Sequence, residues 1–375
     1  MAKILIAGDF APRARIAGLL EEERYADIFS EVIPITARAD YSIVNLEAPI
    51  VENPLAIKIS KCGGHLKCNA KAIKAIKYAG FDMVTLANNH LNDYGPEGVL
   101  DTLRVCHNEG IDTIGAGKDL KQASSIIYKE IKGLRFAFIN CCEHEFSIAT
   151  DSTPGSNPLN PISQFYSISQ AKKNSDRVIV VVHGGHEHYQ LPSPRMQEVY
   201  RFFVDAGADA VINHHQHCYS GYEMYNSRPI IYGIGNFCFD IIPTRVDTIW
   251  NKGYMVELEF GDQVTFKLYP YTQCGEIPSV KLLTNGAFDS DLTKLNKIIS
   301  SHEMLARETE NYYNSCIDSE LSILEPYRGR VLMKLFHFGL LPKCIKKSKI
   351  SSILNRVDCE SHRDKMIYSL KKKIK

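Results

Sequence analysis

KILIAGDF, at residues 3–10, is a short apolar run that ends at a glycine and an aspartate. The same order of apolar residues followed by polar ones returns in YSIVNLEAP at 41–49 and in FDMVTLANNH at 81–90. Such runs are typical of buried strands that deliver polar residues into the following loop. KAIKAIKYAG at 71–80 has apolar residues at helical spacing and stops at a glycine, a common helix end. This alternation of strand and helix predicts an α/β fold.

The alternation continues toward the middle of the chain. RVIVVVHGGHEH at 177–188 holds five consecutive apolar residues before His183, and ADAVINHHQH at 208–217 ends a predicted strand in histidines. A helical pattern separates the two. Alternating residues in YMVELEF at 254–260 and VTFKLYPY at 264–271 predict antiparallel strands that complete the sheets.

The charge of the chain is unevenly distributed. Residues 326–375 carry 14 Lys or Arg and 3 Asp or Glu, a net charge of +11 against −10 for residues 1–325. We predict one domain at 1–280 and a helical, basic C-terminal extension at 281–375. Its apolar segment VLMKLFHFGLLP, at 331–342, is too short to span a bilayer. The extension is expected either to contact the inner face of the membrane or to pack on the acidic domain.

Composition excludes several classes of protein. With 375 residues, 45% of them apolar, the chain can bury a large core. Its first twenty residues contain no secretory apolar region, so a cytoplasmic location is expected. The 11 cysteines are scattered and odd in number, which favours reduced thiols over disulfides. Nucleic acid is not an expected partner, because the basic tail lacks a recognisable binding module.

Side chains that can bind metals stand at the predicted strand ends. In sheets of mostly parallel strands, ligands collect beyond the carboxyl ends, where the loops converge. The residues at these ends are Asp9, Glu47, Asn89, His90, His183, His215 and His217. Taken singly, each has a structural explanation, such as a turn or helix cap for Asp9 and a helix cap for residues 88–90. Their coincidence at one edge of a sheet favours a metal centre.

The types of side chain limit the metal. Imidazole, carboxylate and amide oxygen suit divalent Mn, Fe or Zn, and the cysteines are not clustered for a closed structural zinc site. Two neighbouring ions require a bridging carboxylate, for which Glu47 is the candidate. His90, next to Asn89, is a candidate general acid for a leaving oxygen. The residues therefore predict a site for two divalent ions.

Six motifs of the chain resemble, in order, those of the bacterial capsule synthesis protein CapA family, also called the poly-gamma-glutamate capsule biosynthesis proteins. They are GDF at 8–10, NLEAPI at 45–50, LANNHLNDYG at 86–95, VHGGHEHY at 182–189, NHHQHCYSGYE at 213–223 and IYGIGNFCFD at 231–240. The family is related to the calcineurin-like metallophosphoesterases. The resemblance covers about residues 3–275 and implies a four-layer α/β/β/α metallophosphoesterase-like sandwich.

The resemblance also implies roles for individual residues. The implied metal ligands are Asp9, Glu47, Asn89, His183, His215 and His217, and the implied catalytic residues are His90, Asp93 and Glu187. Three positions depart from the family pattern: Gly184 replaces a common tryptophan, and Asn213 and Gln216 replace a glycine and a proline. These departures leave the implied ligands intact and are expected to reshape the pocket.

Two functions are compatible with this resemblance. One is a metal-dependent hydrolase of phosphoester or similar bonds that acts on a capsule, poly-gamma-glutamate or surface-polysaccharide substrate or precursor. The other is a non-catalytic, metal-binding assembly factor of a capsule polymer synthase complex. The hydrolase is favoured, since a scaffold has no need of a general acid such as His90 beside a metal pair. Glu143, His144 and Glu145 follow a further strand end and either line the pocket or form a capped polar loop.

Overall fold

The computed structural model describes residues 1–284, 286–327 and 329–374. In this part of the chain the strands are β1 (Ala2–Ala11), β2 (Tyr41–Leu46), β3 (Met83–Thr85), β4 (Asp112–Ile114), β5 (Ala116–Gly117), β6 (Ile127–Ile131), β7 (Leu134–Cys142), β8 (Gly155–Ser156), β9 (Arg177–His183), β10 (Ala210–His214), β11 (Tyr222–Tyr225), β12 (Arg228–Ile231), β13 (Asn236–Phe239), β14 (Lys252–Phe260), β15 (Val264–Gln273) and β16 (Val280–Leu282). The helices are α1 (Arg15–Glu21), α2 (Tyr25–Phe29), α3 (Ile33–Thr36), α4 (Lys71–Tyr78), α5 (Gly95–Glu109), α6 (Leu120–Ala123), α7 (Pro161–Asn174), α8 (Pro194–Asp205), α9 (Asp289–Ser300), α10 (His302–Ser322), α11 (Gly329–His337), α12 (Lys347–Asp358) and α13 (Glu360–Ile374), with a 3₁₀ turn at Ile249–Asn251.

Two large sheets form the body of the protein. The first has the strand order β16-β15-β14-β1-β2-β3-β4, with β13 also paired to β1. Strands β1 to β4 run parallel, and β14 to β16 add an antiparallel edge, as the alternating sequence pattern predicts. The second sheet has the order β11-β12-β10-β9-β7-β6, in which β7, β9, β10 and β12 are parallel. Antiparallel strands β6 and β11 form its edges.

The sheets pack face to face. Ile4 and Ile43 of the first sheet share one buried cluster with Phe138, Ile179 and Ile212 of the second. The opposite face of the first sheet packs against α1, α2, α4 and α5, and that of the second against α7, α8 and α9. The layer order is therefore α/β/β/α, and the predicted architecture is confirmed.

One glycine allows β1 to approach β13 closely. A Cβ atom on Gly8 would lie 1.9 Å from the carbonyl oxygen of Gly235, so only glycine fits there. The backbone N–H of Asp9 donates to that same carbonyl at 3.2 Å. The sequence GDF thus anchors the aspartate at the end of β1.

The chain divides into two units, Met1–Leu305 and Ala306–Lys375. Residues 281–305, which the sequence pattern assigned to the extension, therefore belong to the first unit. There Asn296 of α9 accepts a hydrogen bond from the backbone N–H of Tyr222 at 2.7 Å.

The second unit is helical and exposes many apolar residues. Phe336 of α11 is buried and lies 5.4 Å from the ring of Tyr327, whereas Val331, Phe338 and Leu340 are at least two-thirds exposed. Nowhere in the described chain is a helix both long and apolar enough to cross a membrane.

Candidate metal centre

The parallel strands of both sheets deliver polar side chains to one place. The first sheet supplies the carboxylates, with Asp9 near the end of β1 and Glu47 directly after β2. The second supplies the imidazoles, with His183 ending β9 and His215 and His217 following β10. All five side chains are buried. The structure thus brings these five predicted ligands together across the two sheets.

The five side chains form two overlapping donor groups. One consists of Glu47, His183 and His215 and the other of Asp9, Glu47 and His217, with ligand atoms in each group within 4.8 Å of one another. Oε1 of Glu47 lies 3.5 Å from Nε2 of His183 and 3.8 Å from Nε2 of His217. A carboxylate that belongs to both groups has the position that a bridging ligand requires.

The carboxylates are suited to a cation. Neither oxygen of Glu47 has a hydrogen-bond partner among the described residues, although the side chain is buried. Burial raises the pKa of Glu47, and burial together with the negative charge of Glu47 raises the pKa of Asp9 well above its usual value. Buried negative charge without compensation is costly, and divalent ions would provide the compensation. The residues present therefore fit divalent metal ions.

Two of the histidines are held in the form that binds metals. Burial, reinforced by neighbouring imidazoles, lowers the pKa values of His183 and His215 well below the usual value, so both rings are neutral at pH 7. His215 and His217 also adopt left-handed backbone conformations, with φ of +87° and +54°. Such angles are unfavourable for residues with a side chain and often occur at functional sites.

Two asparagines that sequence reasoning did not single out orient these ligands. Nδ2 of Asn45 donates to Oδ1 of Asp9 at 2.7 Å. Oδ1 of Asn236 lies 2.9 Å from Nδ1 of His217, and its amide donates to the backbone carbonyl of the same histidine. Both asparagines are buried within strands, and a buried amide in an apolar strand is the signal that could have revealed them.

Asn89 and Glu145 adjoin the first donor group. Oδ1 of Asn89 lies 3.1 Å from Nε2 of His183, and its Nδ2 donates to Oε2 of Glu145 at 3.1 Å. Oε1 of Glu145 is 3.7 Å from Nε2 of His215. In the segment at 141–147, Glu145 therefore lines the site. Glu143 pairs with Arg195.

The candidate general acid belongs to a buried polar cluster. Nδ1 of His90 lies 2.7 Å from Oδ2 of Asp93 and 3.3 Å from Nζ of Lys61, which forms an ion pair with Asp93. Burial favours a raised pKa for Asp93, but hydrogen bonds and charge from His90 and Lys61 outweigh it and hold that pKa below its usual value. Asp93 is thus a carboxylate that accepts a hydrogen bond from Nδ1 of His90. Lys61 lies in an irregular segment that had no recognisable sequence pattern.

Glu187 occupies a different position. It is exposed, on the loop after β9. Burial is the main cause of the raised pKa values of Glu47 and Glu145, and the negative charge of Glu187 raises both further. A catalytic role for Glu187 stays a prediction.

The described motifs match those of a known family. The family model described as bacterial capsule synthesis protein PGA_cap matches residues 3–241. The chain belongs to this family. The matched range contains every residue predicted above to bind metal or to act in catalysis.

Two members of the PGA_cap family illustrate the degree of similarity. The chain is 36% identical over 220 residues to the capsule biosynthesis protein CapA of Bacillus anthracis, covering 57% of this chain and 54% of that protein. It is 34% identical over 237 residues to the PGA biosynthesis protein CapA of Bacillus subtilis (strain 168), covering 62% of each. The chain thus matches less than two thirds of the length of either relative. Among solved structures, a phosphatase from Mycoplasma pneumoniae aligns with a TM-score of 0.47 at 14% identity, covering 73% of this chain and 95% of that chain.

The three departures from the PGA_cap pattern have structural partners of their own. A Cβ atom on Gly184 would lie 2.7 Å from Cγ of Glu143, so the Glu143 side chain fills the space beside this glycine. Asn213 donates to the carbonyls of Gly184 and Tyr232. Gln216 donates to the carbonyl of Tyr189 at 2.9 Å and so ties the loop after β9 to the histidine segment. With these departures present, the five candidate ligands still form both donor groups.

Proposed function

We propose that this PGA_cap protein is a metal-dependent hydrolase of phosphoester-type bonds that holds two divalent ions, Mn, Fe or Zn. The observation that carries the proposal is Glu47, whose two buried oxygens have no hydrogen-bond partner among the described residues and which belongs to both donor groups. Asp9 and His217 would complete one site and His183 and His215 the other. Asn89 and Glu145 adjoin the second site.

Ions bound there would polarise the scissile bond and acidify a water molecule. The residues of the chain supply the remaining functions. When both ring nitrogens of His90 carry a proton, Nδ1–H donates to Asp93 and Nε2–H is left to give its proton to the leaving oxygen. Asn45 and the backbone N–H of His215 orient the carboxylate of Asp9 through both of its oxygens.

The proposed substrate is a capsule, poly-gamma-glutamate or other surface polymer, or its precursor. Family membership and the names of the two Bacillus relatives support this choice. Those names refer to biosynthesis and not to hydrolysis, which is the reason to retain a second candidate. In that candidate the chain binds metal and helps to assemble a polymer synthase complex without catalysis.

Two measurements test the proposal. Elemental analysis of the full-length protein, purified without chelator, is expected to find two divalent ions per chain. A panel of phosphomonoesters and phosphodiesters, assayed with added manganese, iron or zinc, is expected to reveal turnover that the His90→Ala variant lacks. Bound metal without turnover on any ester would favour the assembly factor. Absence of bound metal would contradict both candidates.

A further inference from the structure

A tryptophan forms a fixed wall beside the candidate metal centre. The ring of Trp250 lies 4.9 Å from the ring of His217 and 5.6 Å from that of His188. Its Nε1 donates to the carbonyl of Phe239 at 2.9 Å, and its own carbonyl accepts a hydrogen bond from Gln273 at 2.9 Å. With both polar groups bonded and only 6% of the residue exposed, the ring cannot turn away from the site.

An arginine rests on this ring. The guanidinium carbon of Arg245 is 5.3 Å from the centre of the Trp250 ring, close enough for a cation–π interaction. Arg245 is exposed, and within the described ranges no carboxylate lies at ion-pair distance from it. Its hydrogen-bond donors are therefore available to a ligand.

The neighbouring acidic residues are already paired with other cations. Asp240 accepts hydrogen bonds from Arg15 through both of its oxygens at 2.8 Å. Asp247 forms an ion pair with Lys252 at 2.8 Å. These acidic residues belong to the loop at 240–248, between β13 and the 3₁₀ turn. The end of this loop is further ordered by Thr248, whose hydroxyl donates to Asn251 at 2.9 Å. The loop therefore presents a single unpaired cation next to the metal centre.

A guanidinium in such a position matches one class of ligand. Arginine binds carboxylate and phosphate groups through two parallel hydrogen bonds, and stacking on an aromatic ring orders the side chain in advance. Divalent ions held by the neighbouring donor groups would take an anionic oxygen as well. The Trp250 ring connects the two places, because it contacts both Arg245 and the candidate ligand His217.

We propose that Arg245, seated on Trp250, binds a second anionic group, a carboxylate or a phosphate, of a ligand whose first anionic group occupies the metal centre. Arg245 is then a specificity-determining residue that selects ligands with two anionic groups, such as short pieces of an acidic polymer. This inference rests on the proposed metal centre, but it does not require that the centre be catalytic.

Isothermal titration calorimetry on the manganese-loaded, full-length protein tests the inference, because it measures the affinity for ligands that cannot be hydrolysed. Butylphosphonate carries one anionic group, 4-phosphonobutyrate adds a carboxylate, and 1,4-butanediyl bisphosphonate adds a second phosphonate. We expect at least one of the two doubly anionic ligands to bind about tenfold more tightly than butylphosphonate. The reason is that its second anionic group gains a charge-assisted pair of hydrogen bonds. The stronger of the two identifies the anionic group that Arg245 prefers.

Two substitutions, each of which removes one positive charge, separate an effect of Arg245 itself from an effect of the net charge of the protein. Arg245→Gln should abolish the preference for two anionic groups and leave butylphosphonate binding unchanged. Arg104→Gln removes an exposed arginine that pairs with Glu52 and Asp101 on the surface, and it should keep the preference. Arg245→Lys, which keeps the charge but loses the planar fork, should fall between the two.

Three results would overturn the inference. Equal affinity of the wild-type protein for all three ligands would contradict the role of Arg245, and so would an unchanged preference in Arg245→Gln. Neither result would contradict the metal centre. Failure of butylphosphonate to bind would contradict the metal centre as well, because the first anionic group would then have no site.

Discussion

The backbone N–H of His215 donates to Oδ2 of Asp9 at 3.1 Å. A residue directly after β10 of the second sheet therefore orients a carboxylate on β1 of the first sheet. This bond uses the backbone of residue 215 and not its imidazole. Substitution of the side chain should therefore remove a metal ligand without removing the link between the sheets.

The left-handed conformation of residue 215, with φ of +87°, gives this substitution a matched pair of variants. His215→Ala and His215→Gly should both lose bound metal in elemental analysis. Without metal, the glycine variant should be more stable than the alanine variant by about 1 kcal/mol in urea unfolding, because only glycine adopts this conformation freely. Full metal content in either variant would remove His215 from the ligand set.

Glu47→Gln should abolish metal binding and raise the stability of the metal-free protein. The neutral amide no longer places an uncompensated charge in the interior, which we expect to be worth on the order of 1 kcal/mol in urea unfolding without metal. Glu187→Gln is the control, since Glu187 is exposed and belongs to neither donor group. Retention of two ions by Glu47→Gln would refute the bridging role.

His90→Ala should keep the metal and lose turnover. His90 is in neither donor group, so elemental analysis should be unchanged. Loss of a general acid is expected to lower kcat by about 10²- to 10⁴-fold on an ester with a poor leaving group. A wild-type rate on such an ester would exclude His90 from proton transfer.

Lys61→Met should destabilise the protein. The side chains of Lys61 and Asp93 are 2% and 0% exposed, so the substitution leaves a buried carboxylate without its ion-pair partner. Loss of one member of a buried ion pair costs about 3–5 kcal/mol, and we expect the lower end because His90 still contacts Asp93. Lys58→Met, an exposed position in the same segment, is the control for urea unfolding and should change the stability little. Equal stability of the two variants would show that the pair contributes nothing.

We further propose that the second unit contacts anionic membranes. Replacing Lys346, Lys347 and Lys349, all exposed, by glutamine should weaken co-sedimentation with phosphatidylserine vesicles about 100-fold at low salt, since each lysine near such a surface contributes ~1 kcal/mol. The same change at Lys74, Lys118 and Lys121, exposed in the first unit, should have little effect. Equal sedimentation of the two triple variants would argue against a membrane role.

The periodic pattern of the sequence predicted the alternation of strands and helices, and the family resemblance implied the four layers. The same pattern placed the candidate ligands at strand ends. Each of Asp9, Glu47 and His183 follows an apolar run, and parallel strands must bring such ends together. The side chains that support the ligands carry no such signal. Asn45 lies inside a strand pattern, and Lys61 lies in an irregular segment whose path depends on tertiary contacts.

The first unit ends at Leu305, beyond the predicted boundary at residue 280, for a similar reason. Residues 288–300 show a helical pattern, but periodicity does not reveal which surface a helix covers. The contact of Asn296 with Tyr222 places α9 on the second sheet. The charge count that suggested an extension describes residues beyond 326, which do lie in the second unit.

The left-handed backbone at His215 and His217 has a consequence for how this family diverges. At these two positions the backbone conformation favours glycine or asparagine, so a histidine there needs the benefit of its imidazole to offset the strain. In a lineage where the metal became dispensable, drift should replace these two histidines earlier than His183, whose strand conformation accepts many residues. Relatives with glycine or asparagine at both positions would then mark branches that keep the fold and have abandoned the centre.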